Sequence, residues 1–225
     1  YTELLRKYRA HIGNSFIYLV WCSLISAWAL FYTSITYSKL IVYADILWVT
    51  IFIPLFVGFY LSGKILPKIF PQHPEVAKLL GKYYTKSLIP LIIVYFPGSQ
   101  IVCSLGASEY MCIAYNASVW YVGLIGMHFL LYYYVERKGY VLRYTAVYSH
   151  KLAAVLMLLF LPVALAFSAF FDTSLCIKYG LHGIYLEHTY FIILPLLLTG
   201  ATAIIYLTVA LYSLLKTREI FSERK

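Results

Sequence analysis

The sequence predicts an all-α, polytopic integral membrane protein with six transmembrane helices and both termini in the cytoplasm. Three observations carry that expectation. Apolar residues fill 62% of the 225 positions and charged ones 12%, with mean hydropathy +0.79, whereas a soluble chain is about a quarter charged. Six runs of about twenty mostly apolar residues are each long enough to cross a hydrocarbon core of about 30 Å. Sixteen of the eighteen Lys and Arg fall on one side of the bundle those runs define, and cationic loops resist translocation. A soluble enzyme core is thereby excluded. Nucleic acid is excluded as a partner too, because the +9 charge comes from short clusters between apolar runs and not from a basic face.

In chain order, residues 1–14 place Leu4, Leu5, Tyr8 and Ile12 at helical spacing with Arg6, Lys7 and Arg9 between them. That is the pattern of an amphipathic helix lying at the bilayer interface. The transmembrane domain, 15–215, follows with spans expected at 15–37, 41–63, 88–107, 117–134, 152–171 and 189–215. Lys64, Lys68, Lys78, Lys82 and Lys86 put the loop at 64–87 in the cytoplasm. Arg137, Lys138, Arg143 and Lys151 do the same after the fourth span, and 216–225 is a basic cytoplasmic tail. Only Lys39 and Lys178 fall on the outer side, with Asp45, Glu109, Asp172 and Glu187. The partner this organisation requires is the lipid bilayer, most simply the plasma membrane.

No stretch specifies a catalytic, metal or cofactor site. Gly58 to Ile65 nearly matches a phosphate loop, but Ile65 stands where a hydroxyl residue is required and the stretch ends a membrane helix. Gly-x-Ser-x-Gly and His-Glu-x-x-His are both lacking. Paired haem-ligating histidines are disfavoured because His128 alone lies well inside a span, with His150 at the inner end of the fifth; His128 is assigned to interhelical hydrogen bonding. The mild interior polar residues Ser99, Gln100, Ser104, His128, Thr199 and Thr202 either line a path for a large, partly apolar substrate or join helices to one another. Cys112 and Cys176 fall at the outer face, either as a disulfide or as buried thiols. Pro54, Pro90, Pro97, Pro162 and Pro195 lie within spans, where each removes a backbone donor and favours a kink.

The loop at 64–87 is the most distinctive segment. Pro74 and Glu75 mark a helix start, and Val76, Leu79 and Leu80 share one face, so the short helix offers an apolar side to a partner protein or to the bilayer.

Three segments resemble the permease subunits of type-2 ABC transporters. They are the basic entry L-L-R-K-Y-R-A (4–10), the stretch F-P-Q-H-P-E-V-A-K-L-L-G-K-Y (70–83) before the third span, and the ending L-Y-S-L-L-K-T-R-E-I-F (211–221). The family's Glu-Arg pair after the second span is replaced here by Ser62-Gly63-Lys64, and the loop is shorter. The resemblance implies a second permease copy or homologue, and a cytoplasmic ATPase subunit that engages a coupling helix. That role would fall on Phe70, Pro71, Pro74, Glu75, Val76, Leu79, Leu80 and Lys82. It implies a transport subunit without catalytic residues or cofactor, ATP hydrolysis belonging to the partner. The competing expectations are a membrane anchor of a respiratory oxidoreductase, binding quinone or haem, and a non-catalytic membrane scaffold.

Overall fold

The computed structural model describes residues 2–37, 52–71, 73–106, 109–141, 148–179 and 194–222. Lys39, Asp45, Glu187 and the segment 180–193 lie outside the described residues, as do the side chains of Ser99, Cys112 and Cys176.

Every regular element among the described residues is helical. Helix α1 is Thr2–Tyr37, α2 is Phe52–Tyr60, and a π-helical turn, Leu61–Ile65, leads into α3, Leu66–Ile69. Then come α4, Pro74–Ser87, and α5, Ile89–Ser104. Helix α6, Glu109–Leu131, runs through a second π turn, Tyr132–Glu136, into α7, Arg137–Val141; α8 is Ser149–Tyr179 and α9 is Leu194–Ser222.

Among the described residues four stretches are long and apolar enough to cross a membrane: Lys7–Tyr32, Ser118–Gly139, Ser149–Phe167 and Leu194–Thr217. They belong to α1, α6, α8 and α9, which pack as the central bundle, with α1 laid along α9 and α8 against both α6 and α9. Both α8 and α9 turn large apolar side chains outward, and α8 turns mostly small ones inward. Helix α8 turns Ala153, Ala154, Met157 and Ala164 inward and Val155, Leu158, Leu159 and Val163 outward. Helix α9 buries Leu198, Ala201, Ile205, Val209 and Ala210 and exposes Ile204, Leu207, Leu211 and Leu215. Exposed large apolar side chains at helical spacing are what lipid contact requires, and buried small ones let backbones approach.

Helix α5 packs against α6 at a close crossing. A Cβ on Gly123 would come 2.8 Å from Leu91 Cα, and one on Gly126 2.9 Å from Pro90 Cβ, so two glycines one helical turn apart set the approach. Pro90 sits in the first turn of α5, where its missing N–H costs nothing, while Pro97 and Pro162 lie inside α5 and α8. Near Pro97 the Tyr115 hydroxyl of α6 donates to Val94 O at 2.8 Å, covering a carbonyl next to the one that the proline leaves without its amide.

Two expectations change. Residues 2–14 do not form a separate interfacial helix; they continue α1 without a break, giving a rod of about 54 Å at 1.5 Å per residue. The apolar side of α4 does not await a partner, because Val76 packs with Leu131 and Val135 of the α6 region, and Leu79 and Leu80 pack against the same cluster. The helix start at Pro74 is as expected, with His73 Nδ1 accepting from Glu75 N–H at 3.3 Å. Gly58 to Ile65 is helical throughout and forms no phosphate cradle.

Candidate functional site

One polar network ties the four bundle helices together. The Tyr206 hydroxyl of α9 lies 2.8 Å from His128 Nε2 of α6. His128 Nδ1 lies 3.0 Å from His150 Nδ1 of α8, and the same His150 nitrogen is 2.9 Å from the Tyr18 hydroxyl of α1. His128, Tyr18 and Tyr206 are buried. Their rings also pack: Tyr206 stands edge-on to His128 with centroids 5.5 Å apart, and to Tyr18 at 5.3 Å.

A carboxylate anchors the network at the start of α8. Buried Glu136 accepts from the Ser149 hydroxyl and from the His150 N–H at 2.8 Å, with the Lys151 N–H at 3.3 Å. Asn14 Nδ2 donates to Ser149 Oγ at 2.8 Å and joins α1 to the same point. The first amides of a helix lack intrahelical acceptors and carry the positive end of its dipole, so a carboxylate there is both partner and counter-charge. The π turn Tyr132–Glu136 makes this possible. An α-helix would set Glu136 eight steps from His128; the π turn absorbs about one residue, leaving about seven, or two turns at 3.6 residues each, and so the same face.

Hydrogen-bond bookkeeping restricts the proton positions. Two facing Nδ1 atoms need one proton between them. In the arrangement where every hydroxyl donates, Tyr206 donates to His128 Nε2, and His128 Nδ1–H and the Tyr18 hydroxyl share the single lone pair of His150 Nδ1; His150 keeps its proton on Nε2. One added proton on His128 Nε2, with the His128 Nδ1 proton passed to His150, reverses this order. His150 Nδ1–H then donates to His128, His128 Nε2–H donates to Tyr206, and the hydroxyl protons of Tyr18 and Tyr206 lose their acceptors. The Tyr121 hydroxyl, buried in the same core cluster, has no partner among the described residues. On α4, outside the spans, burial pushes the Tyr84 phenol up to about 12 and keeps it neutral.

The expected path residues are not gathered into one passage. Gln100 and Ser104 are exposed on α5. Thr199 and Thr202 are buried on α9, but their hydroxyls donate to Pro195 O and Leu198 O of their own helix, at 2.5 and 2.7 Å. Of the expected coupling residues, Val76 is buried with Leu79 and Leu80 beside it, and Phe70 stacks on Phe16 of α1 at 5.2 Å; Pro71, Pro74, Glu75 and Lys82 are exposed. His128 does make the expected interhelical bonds. The reading of His128 as isolated from His150 is corrected, because α6 and α8 pack against each other and bring the two rings to the same depth. Glu136 went unread because its inward direction depends on the π turn. Comparison with family models, curated proteins and solved structures finds no match to this chain.

Proposed function

We propose that the chain is a membrane permease whose two helix pairs, α1 with α9 and α6 with α8, shift against each other when the His128–His150 pair gains or loses a proton. The observation that carries this is the buried Tyr206–His128–His150–Tyr18 chain, which touches all four helices. An ionisable group held inside a membrane bundle is ordinarily functional. Protonation strands one hydroxyl on α1 and one on α9. Each buried, unpaired donor costs about 1–3 kcal/mol, and separating the pairs or turning Tyr206 toward Tyr121 relieves it. The bistable element is thus the donor order of the chain, and the proton is the ligand that selects it. In this reading α2 and α5 complete the second and third of six spans, both termini are cytoplasmic, and the membrane is the plasma membrane.

The test uses spin labels at exposed Phe129 on α6 and Leu211 on α9, with the native cysteines replaced by serine, in lipid nanodiscs. The interspin distance should differ by several Å between pH 8 and pH 5, and His128→Phe should abolish the difference. A distance independent of pH in the protein with both histidines overturns the reading.

A second reading, the ATP-driven permease, draws support from the exposed Pro74, Glu75, Lys78 and Lys82 on α4. Copurification of an ATPase from native membranes, lost on Glu75→Lys with Lys82→Glu, would favour it. The His128 and His150 imidazoles bond to each other and leave no gap for a porphyrin between them.

A further inference from the structure

A second feature lies outside the histidine network, at the basic end of the bundle between α4, α5 and the close of α6. Three ammonium groups crowd one aromatic ring: Lys82 Nζ, Lys86 Nζ and Lys138 Nζ stand 5.4, 5.8 and 5.6 Å from the Tyr83 ring centroid. None of the three makes an ion pair among the described residues. Three like charges around one ring repel one another, and the face of that ring offsets only part of the repulsion, at about 0.5–1 kcal/mol for an exposed pair. Tyr83 is itself fixed, stacked on Tyr134 with centroids 4.7 Å apart and planes 10° from parallel.

Directly beside this cationic rim opens a groove of about 350 Å³ whose floor is apolar, formed by Ile89, Pro90, Ile93, Val94 and Leu130. Ile89 and Ile93 are about half exposed, on the outer surface of the helices and not inside the bundle. From Ile89 to Val94 the groove follows α5 for about 7 Å at 1.5 Å per residue, away from the lysines. Tyrosines at a polar boundary, lysines above them and aliphatic side chains below reproduce the polarity profile of a lipid leaflet.

We propose that this groove holds one anionic glycerophospholipid, its phosphate bound by Lys82, Lys86 and Lys138 and an acyl chain lying along Ile89, Ile93 and Leu130. The cluster of unpaired cations selects the head-group charge, and the apolar groove selects a lipid over a soluble phosphate. In the orientation proposed above, the lipid comes from the cytoplasmic leaflet, which carries the anionic species.

The test is native mass spectrometry of the full-length protein released from detergent after exchange into phosphatidylglycerol or phosphatidylcholine. One phosphatidylglycerol should be retained at least ten times more than phosphatidylcholine, and Lys82→Gln, Lys86→Gln and Lys138→Gln together should remove that preference. Should the triple variant fail to fold, Lys138→Gln alone, checked by circular dichroism, should weaken retention several-fold. Inorganic phosphate at millimolar concentration should leave the bound lipid in place. Equal retention of the two lipids, unchanged retention in the lysine variants, or displacement by inorganic phosphate would each overturn the proposal.

Discussion

The histidine network and the threonines of α9 both place polar groups inside one bundle, yet they do opposite things. Tyr206 and His128 reach across to other helices, so their hydrogen bonds fix how α1, α6, α8 and α9 sit. Thr199 and Thr202, two turns and one turn earlier on the same helix as Tyr206, return their hydroxyls to their own helix's carbonyls and fix nothing between helices. The difference is reach: a short β-branched side chain finds the carbonyl four residues back before it finds a neighbour, whereas an imidazole or phenol spans the gap. Along α9, therefore, the polar side chain that joins helices is the one long enough to leave its own.

Substitutions break that comparison in a definite order, read as shifts in unfolding free energy in mild detergent. Glu136→Ala should cost most, about 3 kcal/mol, because the Ser149 hydroxyl and the His150 and Lys151 amides lose a buried acceptor together. Gly123→Val should follow at about 2 kcal/mol, since its Cβ meets the Leu91 backbone, which cannot turn aside as a side chain would. At Gly123 itself the two helices meet by close approach, so this variant gives a steric reference. Tyr206→Phe should cost about 1 kcal/mol, the ordinary value of an interhelical hydrogen bond in a membrane. Thr202→Val should fall within about 0.5 kcal/mol, as only an intrahelical bond is lost. A Thr202→Val effect equal to that of Tyr206→Phe would remove the distinction.

Part of the fold was legible because apolar run length reports membrane solvation directly. The runs at 15–37, 117–134, 152–171 and 189–215 coincide with stretches able to span. The amphipathic pattern at the N-terminus was visible, but Gly13, Asn14 and Ser15, of types that often interrupt a helix, do not: Asn14 bonds Ser149, Ser15 returns its hydroxyl to His11 O, and α1 runs on. The site was only half legible. His128 could be assigned an interhelical bond from burial and polarity, but its partners depend on how helices lie against each other. Glu136 depends on a local departure from the α-helical register that no residue type announces. The apolar face of α4 was read correctly and its partner was not, because amphipathicity shows that a face must be covered and not by what.

The central claim, that His128 and His150 share one proton and exchange its direction, is tested most directly by nitrogen NMR of ¹⁵N-histidine-labelled protein in bilayers, with His128→Phe and His150→Phe for assignment. At neutral pH the account predicts one protonated and one bare Nδ1, coupled through the shared proton, with the assignment of donor and acceptor reversing on acidification. Two uncoupled imidazoles titrating independently of each other would contradict it.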